Sequence, residues 1–241
     1  RPQTDALAGR YACLTFDNRG MARSVPLQTR PTMDAMVEDA EALLDAVGWD
    51  SAHVVGHSMG GLIALELALR ARNRVRSLAL LCSFPRGADA TALTARMLWL
   101  GVRCNLGTRR MRRHAFLEII LPPEALVGAD RDALAGKWEP LFGHDLGVQP
   151  PIALRQLSAI RGTDTTSRLG ELAGLPTLIL SAHHDPIARP AIMRAMAAKI
   201  PGARLVEFPD ASHGLPIQHP DRVNALLREH FRSAGSPPQQ I

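Results

Sequence analysis

The sequence predicts an α/β protein, a mostly parallel β-sheet flanked by helices and interrupted by an all-helical insertion. Three observations carry the prediction. Short β-rich runs alternate with longer runs of helical periodicity, the order that parallel strands with helical crossovers produce. The stretch from Pro85 to Thr166 breaks that alternation and holds only helical patterns. A short apolar strand runs directly into Gly56-His57-Ser58-Met59-Gly60-Gly61 and from there into a helix. A chain of 241 residues suffices for one large domain, or for a core domain with an insertion.

Taken in order, Tyr11–Phe16 reads as a strand that ends at Asp17-Asn18-Arg19-Gly20. Met33–Val47 reads as a helix, with Met33, Met36, Val37, Ala40, Leu43, Leu44 and Val47 at near-helical spacing and Gly48 behind it. Ala52–Val55 is a buried strand, Met59–Ala71 a helix and Val75–Cys82 a strand. The insertion shows helical patterns at Ala90–Leu100, Thr108–Ile120, Asp130–Leu141 and Ile152–Ile160. Alternation then resumes with strand Thr177–Ser181, helix Pro190–Ile200, strand Arg204–Phe208 and helix Pro220–Phe231. The expected organisation is a core formed by residues 1–84 and 167–232, a helical cap over 85–166, and a disordered tail over Ser233–Ile241, where Gly, Ser and two prolines cluster.

Composition narrows the function classes. Apolar residues make up 46% and charged residues 21%, which places the chain among soluble globular proteins. No apolar run reaches the length of a membrane span, and the first residues lack a signal-peptide layout, so a cytoplasmic protein is expected. Cys13, Cys82 and Cys104 have no metal-ligand spacing, and three thiols cannot all pair. They read as buried free thiols in a reducing compartment. The net charge of +5 comes almost wholly from arginine, Lys137 and Lys199 being the only lysines. With Ala also abundant, this reads as compositional bias, and no aromatic residues interleave with the basic ones as a nucleic-acid surface requires. Neither nucleic acid nor membrane is expected as a partner. The basic run Arg109, Arg110, Arg112, Arg113 and His114 reads as a solvated helix face, with steering of an anionic substrate as the alternative.

The chemistry starts at the strand–turn–helix. Such a turn crowds its backbone, and Gly56 and Gly60 are expected to remove the Cβ atoms that would clash. Ser58 is then held strained, with its hydroxyl at the end of the sheet. The following helix aims unpaired N–H groups at it, and Met59 N–H is the expected oxyanion donor.

A serine hydroxyl needs a base within reach, and the base needs an orienting acid. Asp185 follows strand Thr177–Ser181, and His213 follows strand Arg204–Phe208, so both project from the edge that carries Ser58. The order Ser58, Asp185, His213 suits the architecture. Among the other histidines, His183 and His184 are the serious competitors, but they leave Asp185 badly placed to orient them. His57 points away from Ser58, and His53 reads as a satisfied core residue. Asp210 is the alternative acid, and Asp17 reads as the organiser of its own turn.

At these residues the sequence resembles the α/β-hydrolase superfamily, and within it the bacterial esterase, enol-lactonase and C–C hydrolase group. The matches are Asp17–Ser24, Gly56–Gly61, Leu178–Pro186 and Ala211-Ser212-His213, with the insertion where the family carries its cap. Ala22 stands where the family usually has Gly. The resemblance also implies three earlier strands and a loop supplying a second oxyanion N–H. Arg1–Gly9 already looks like the end of the family's first helix, so the chain reads as a truncated form of a longer protein.

The expected activity is hydrolysis of a small carboxylic ester or lactone through an acyl-enzyme on Ser58, with no metal or organic cofactor. C–C bond hydrolysis and cofactor-free perhydrolysis use the same triad and stay open, as does an inactive or non-catalytic family member. Met97, Leu98, Trp99 and Leu100 are candidate pocket residues, with plain core as the alternative.

Overall fold

The computed structural model describes residues 2–24, 30–90, 94–148 and 150–235. Of the tail predicted over Ser233–Ile241, residues 236–241 lie outside the described residues, and Ser233 ends the last helix. In chain order the elements are α1 (Pro2–Leu7), α2 (Met33–Ala46), β1 (Ala52–His57), α3 (Met59–Arg70), β2 (Val75–Leu81), α4 (Gly87–Ala90), α5 (Ala95–Asn105), α6 (Arg109–Ile120), α7 (Arg131–Phe142), α8 (Pro151–Ile160), β3 (Thr177–Ala182), α9 (Pro190–Lys199), β4 (Arg204–Phe208), α10 (Leu215–Gln218) and α11 (Pro220–Ser233).

The four strands form one parallel sheet in the order β1-β2-β3-β4. Parallel pairing brings their C-terminal ends to one edge. Ser58, Cys82, His183 and Pro209, each the next residue after its strand, therefore gather there. The central strands read as continuous apolar runs because both faces are covered. Leu78, Ala79 and Leu80 of β2 and Leu178, Ile179 and Leu180 of β3 are fully buried. Helix α3 packs on β1 and β2, α11 on β2, and α9 on β3 and β4.

Side-chain capping explains four of the helix starts. Thr32, Thr94 and Thr108 accept from the N–H three residues on, and Asp130 accepts from Asp132 and Ala133. Thr94 also corrects the expected helix Ala90–Leu100, since its cap starts α5 at Ala95 and the helix runs on to Asn105. Strand β2 stops one residue before the expected Cys82 because Cys82 adopts φ +45°, outside the extended region.

One predicted strand is absent. Tyr11–Phe16 forms no ladder among the described residues, and Ala12, Cys13, Thr15 and Phe16 are exposed. A β-type pattern becomes a strand only with a paired neighbour, and β1 pairs with β2 alone. The expectation that Cys13 is buried falls with it; Cys82 and Cys104 are buried as expected. Val55, on the open edge of the sheet, is 42% exposed. Ala22, the departure from the family pattern, sits at φ +38°, where a Cβ is strained.

The segment between β2 and β3 carries helices and, among the described residues, no sheet strand. Its two ends meet at a neck: Thr165 N–H and Oγ both bond the Pro85 carbonyl, and Gly87 N–H bonds the Thr163 carbonyl at 2.9 Å. Leu117, Ile120, Leu121, Leu126, Ala135, Trp138 and Leu146 form a small core of its own. In contrast, α8 returns to the main core through Ile160.

The reading of His53 as a satisfied core histidine holds for one nitrogen. Its Nδ1 lies 2.8 Å from Ser77 Oγ, while Nε2 is buried with no partner among the described residues. Burial, then the charges of Arg76 and His230, push its pKa down to about 4. The folded protein thus holds His53 neutral where the unfolded chain would be protonated. Stability from this group is complete above about pH 6.5 and declines as pH falls from there towards about 4. Thermal unfolding midpoints should fall through that window, and His53→Gln should reduce the fall. An unchanged pH dependence in the variant would show that His53 is not the group responsible.

Candidate active site

The turn after β1 is strained and tightly held. Ser58 adopts φ +54° and ψ −124°, a conformation disfavoured for any residue with a Cβ. Its N–H donates to the Leu81 carbonyl at 3.0 Å, and its carbonyl accepts from Ser83 Oγ at 2.9 Å and from Gly61 N–H at 2.9 Å. The end of β2 therefore grips the turn on both sides of the strained residue.

The glycines divide differently from the sequence reading. A Cβ on Gly56 would lie 2.6 Å from the Gly60 carbonyl carbon, and one on Gly61 would meet the Ser83 hydroxyl. A Cβ on Gly60 would meet nothing within 4 Å. The steric requirement thus belongs to Gly56 and Gly61, because the crowding at the second position comes from Ser83, two residues past the end of β2.

The structure brings Ser58, His213 and Asp185 together. Ser58 Oγ lies 2.9 Å from His213 Nε2, and His213 Nδ1 lies 2.8 Å from Asp185 Oδ2. The Asp185 side chain is fully buried. Its other oxygen, Oδ1, accepts from Ile187 N–H at 2.8 Å and Ala188 N–H at 2.9 Å. Burial by itself raises the Asp185 pKa; the adjoining His213 ring and the two N–H donors outweigh it, and the net shift is downwards. Asp185 is thereby kept ionised against the imidazole. Met59 opens α3, whose first-turn N–H groups have no intrahelical acceptor, so its N–H is not used within the helix.

The competitors fall elsewhere. Asp210 faces His219 at 3.4 Å and is largely exposed. His184 lies 3.6 Å from Glu124 of the helical segment, and its ring packs edge-on against His183. Asp17 accepts from Arg23 N–H within its own turn. His57 Nε2 donates to the His213 carbonyl at 2.9 Å, and the two rings lie 4.9 Å apart. Of the candidate pocket residues, Leu98 and Trp99 are more than half exposed and Leu100 is buried.

All of the basic run on α6 except Arg112 is ion-paired; Arg112 Nε is buried with no partner among the described residues. Arg109 and Arg113 engage Asp145, Arg113 also reaches Glu139, and Arg110 and His114 share Asp132. The charge of these arginines is answered locally, which favours the solvated helix face over steering.

Three residues at the site carried no local sequence signal. Ser83 and Ser212 are ordinary serines in sequence. Cys82 reads only as the end of a strand, yet its thiol lies by Asp185, and burial, then that carboxylate, hold its pKa well above the usual thiol range.

Fold and residue geometry together define the class, an α/β hydrolase. The chain belongs to the α/β-hydrolase fold family, whose model matches residues 2–220. Among curated relatives, the RutD protein of Azorhizobium caulinodans, named as a carbamate hydrolase, is 29% identical over 227 residues, covering 94% of this chain and 83% of the relative. Among solved structures, a Mycobacterium tuberculosis protein named as non-heme bromoperoxidase BpoC superposes with a TM-score of 0.81 at 27% identity, covering 97% of this chain and 86% of that one. The enol-lactonase of Burkholderia xenovorans LB400 superposes with a TM-score of 0.77 at 25% identity, covering 96% and 85%. No helix among the described residues is long and apolar enough to cross a membrane.

Proposed function

We propose that this chain is a serine hydrolase that cleaves a small carboxylic ester or lactone through an acyl-enzyme on Ser58. The observation that supports the reading is the unbroken relay Ser58 Oγ–His213 Nε2 and His213 Nδ1–Asp185 Oδ2, at 2.9 and 2.8 Å. Ser58 Oγ attacks the carbonyl carbon while His213 takes its proton. Met59 N–H donates to the developing oxyanion, and Asp185 stabilises the imidazolium. His213 then returns the proton to the leaving oxygen. Water, deprotonated by His213, cleaves the acyl-enzyme and restores Ser58. In this reading residues 85–166 act as a cap that shapes substrate choice. Free cysteines suit a cytoplasmic setting.

A second reading, carbamate hydrolysis, is favoured by the name of the RutD relative. It uses the same nucleophile and differs only in the acyl group transferred, a carbamoyl in place of a carboxylic acyl. C–C bond hydrolysis and perhydrolysis remain alternatives on the same triad. A fluorophosphonate probe should label the folded protein at Ser58 and should not label Ser58→Ala. Turnover of short esters, lactones, carbamates and dienoates then ranks the substrate classes. Absence of both labelling and turnover in folded protein would point to a non-catalytic member.

A further inference from the structure

The loop that carries His213 is fastened to the helical segment as well as to the sheet. Helix α6 ends at Ile120, and its last i to i+4 bond runs from Leu121 N–H to the Leu117 carbonyl, which leaves the Ile119 and Ile120 carbonyls free for partners outside the helix. His213 N–H donates to the Ile119 carbonyl at 3.3 Å, and Gly214 N–H donates to the Ile120 carbonyl at 3.0 Å. A Cβ on Gly214 would run into that Ile120 carbonyl, so the approach requires glycine there. Three residues on, Ile217 packs against the segment's own hydrophobic core.

Ser212 joins these contacts. It is fully buried, and its hydroxyl lies 2.8 Å from the Ile119 carbonyl and 3.1 Å from the His184 carbonyl. A hydroxyl has one proton, so both carbonyls compete for the same donor. One side chain thus ties the end of α6, the residue before His213 and the residue before Asp185 into a single junction. The segment touches the acid loop again where His184 faces Glu124.

We propose that Ser212 is a positioning residue through which the helical segment sets the placement of His213, so that seating of this segment and basicity at Ser58 are coupled. The proposal rests on the reading of His213 as the base. Misplacing a catalytic group by a fraction of an ångström costs rate without costing binding.

The test combines p-nitrophenyl acetate kinetics with amide hydrogen exchange of the peptide spanning residues 211–216. Ser212→Ala should lower kcat about tenfold with KM within about twofold, and Ser212→Thr, which keeps the hydroxyl, should recover most of it. Trp138→Ala opens the segment's core, of which Ser212 and His213 are not part. It should lower kcat and speed exchange at the His213 and Gly214 amides, with β2 and β3 still protected. Wild-type kcat in Ser212→Ala, or unchanged protection of His213 and Gly214 in Trp138→Ala, overturns the proposal. If Ser58→Ala still hydrolyses the ester, the catalytic reading fails instead, and the exchange results continue to decide whether the coupling exists.

Discussion

Replacing His213 by Ala should lower kcat on any substrate found for this protein by roughly a million-fold, and Ser58→Ala should do the same. The physical reason is that in the proposed mechanism the two side chains act as one unit. Ser58 Oγ is 2.9 Å from His213 Nε2, and no other imidazole stands within hydrogen-bond reach of that hydroxyl among the described residues. Without the ring, the hydroxyl keeps its proton at neutral pH and is a poor nucleophile. Without the hydroxyl, the ring has nothing to deprotonate. The double variant should therefore be no slower than either single one, because each change already removes the whole function. Additive losses, in which the double variant falls by the product of the two factors, would mean that the residues act in separate steps. Neither change should unfold the protein. The Ser58 backbone is held by Leu81, Ser83 and Gly61, contacts that do not use its side-chain oxygen. Circular dichroism and a thermal melt on the same samples check this.

What was legible in the sequence, and what was not, divides along the range of the interactions. The order of strands and helices was legible because it is written in local periodicity. The meeting of Ser58, Asp185 and His213 was legible because each lies within five residues of the C-terminal end of a strand, and parallel strands deliver those ends to one edge. The strand over Tyr11–Phe16 was misread because a strand is defined by its partner, which local pattern does not reveal. The elbow glycines were half right for the same reason. Gly56 is crowded by its own turn, whereas Gly61 is crowded by Ser83, which lies two residues past the end of β2. Ser212 was invisible as a junction because its partner, Ile119, is 93 positions away and contributes a carbonyl that every residue type possesses.

Asp185→Asn should lower kcat by about 10⁴-fold near neutral pH while leaving the fold intact, and the loss should come from the wrong tautomer of His213. The orientation of the new amide follows from the present contacts. Asp185 Oδ1 accepts two backbone N–H bonds, from Ile187 and Ala188. An amide keeps those bonds only if its oxygen occupies that position. Its NH₂ then replaces Oδ2 and donates to His213 Nδ1, where a carboxylate had accepted. A neutral imidazole that accepts at Nδ1 carries its proton on Nε2 and faces Ser58 Oγ as a donor. The base can no longer take the serine proton, although every atom stays close to its place. Nitrogen-15 NMR of labelled histidine reads this directly, with the His213 proton moving from Nδ1 to Nε2. Asp210→Asn is the matched control, since that carboxylate is largely exposed and faces His219 at 3.4 Å. It should change kcat by less than about twofold, as surface pairs of this kind contribute little. A large loss in Asp210→Asn together with a small one in Asp185→Asn would transfer the orienting role to the other aspartate. The geometry argues against that outcome on one ground in particular: only Asp185 combines a buried carboxylate, a hydrogen bond to the ring and two main-chain donors that fix which oxygen makes it.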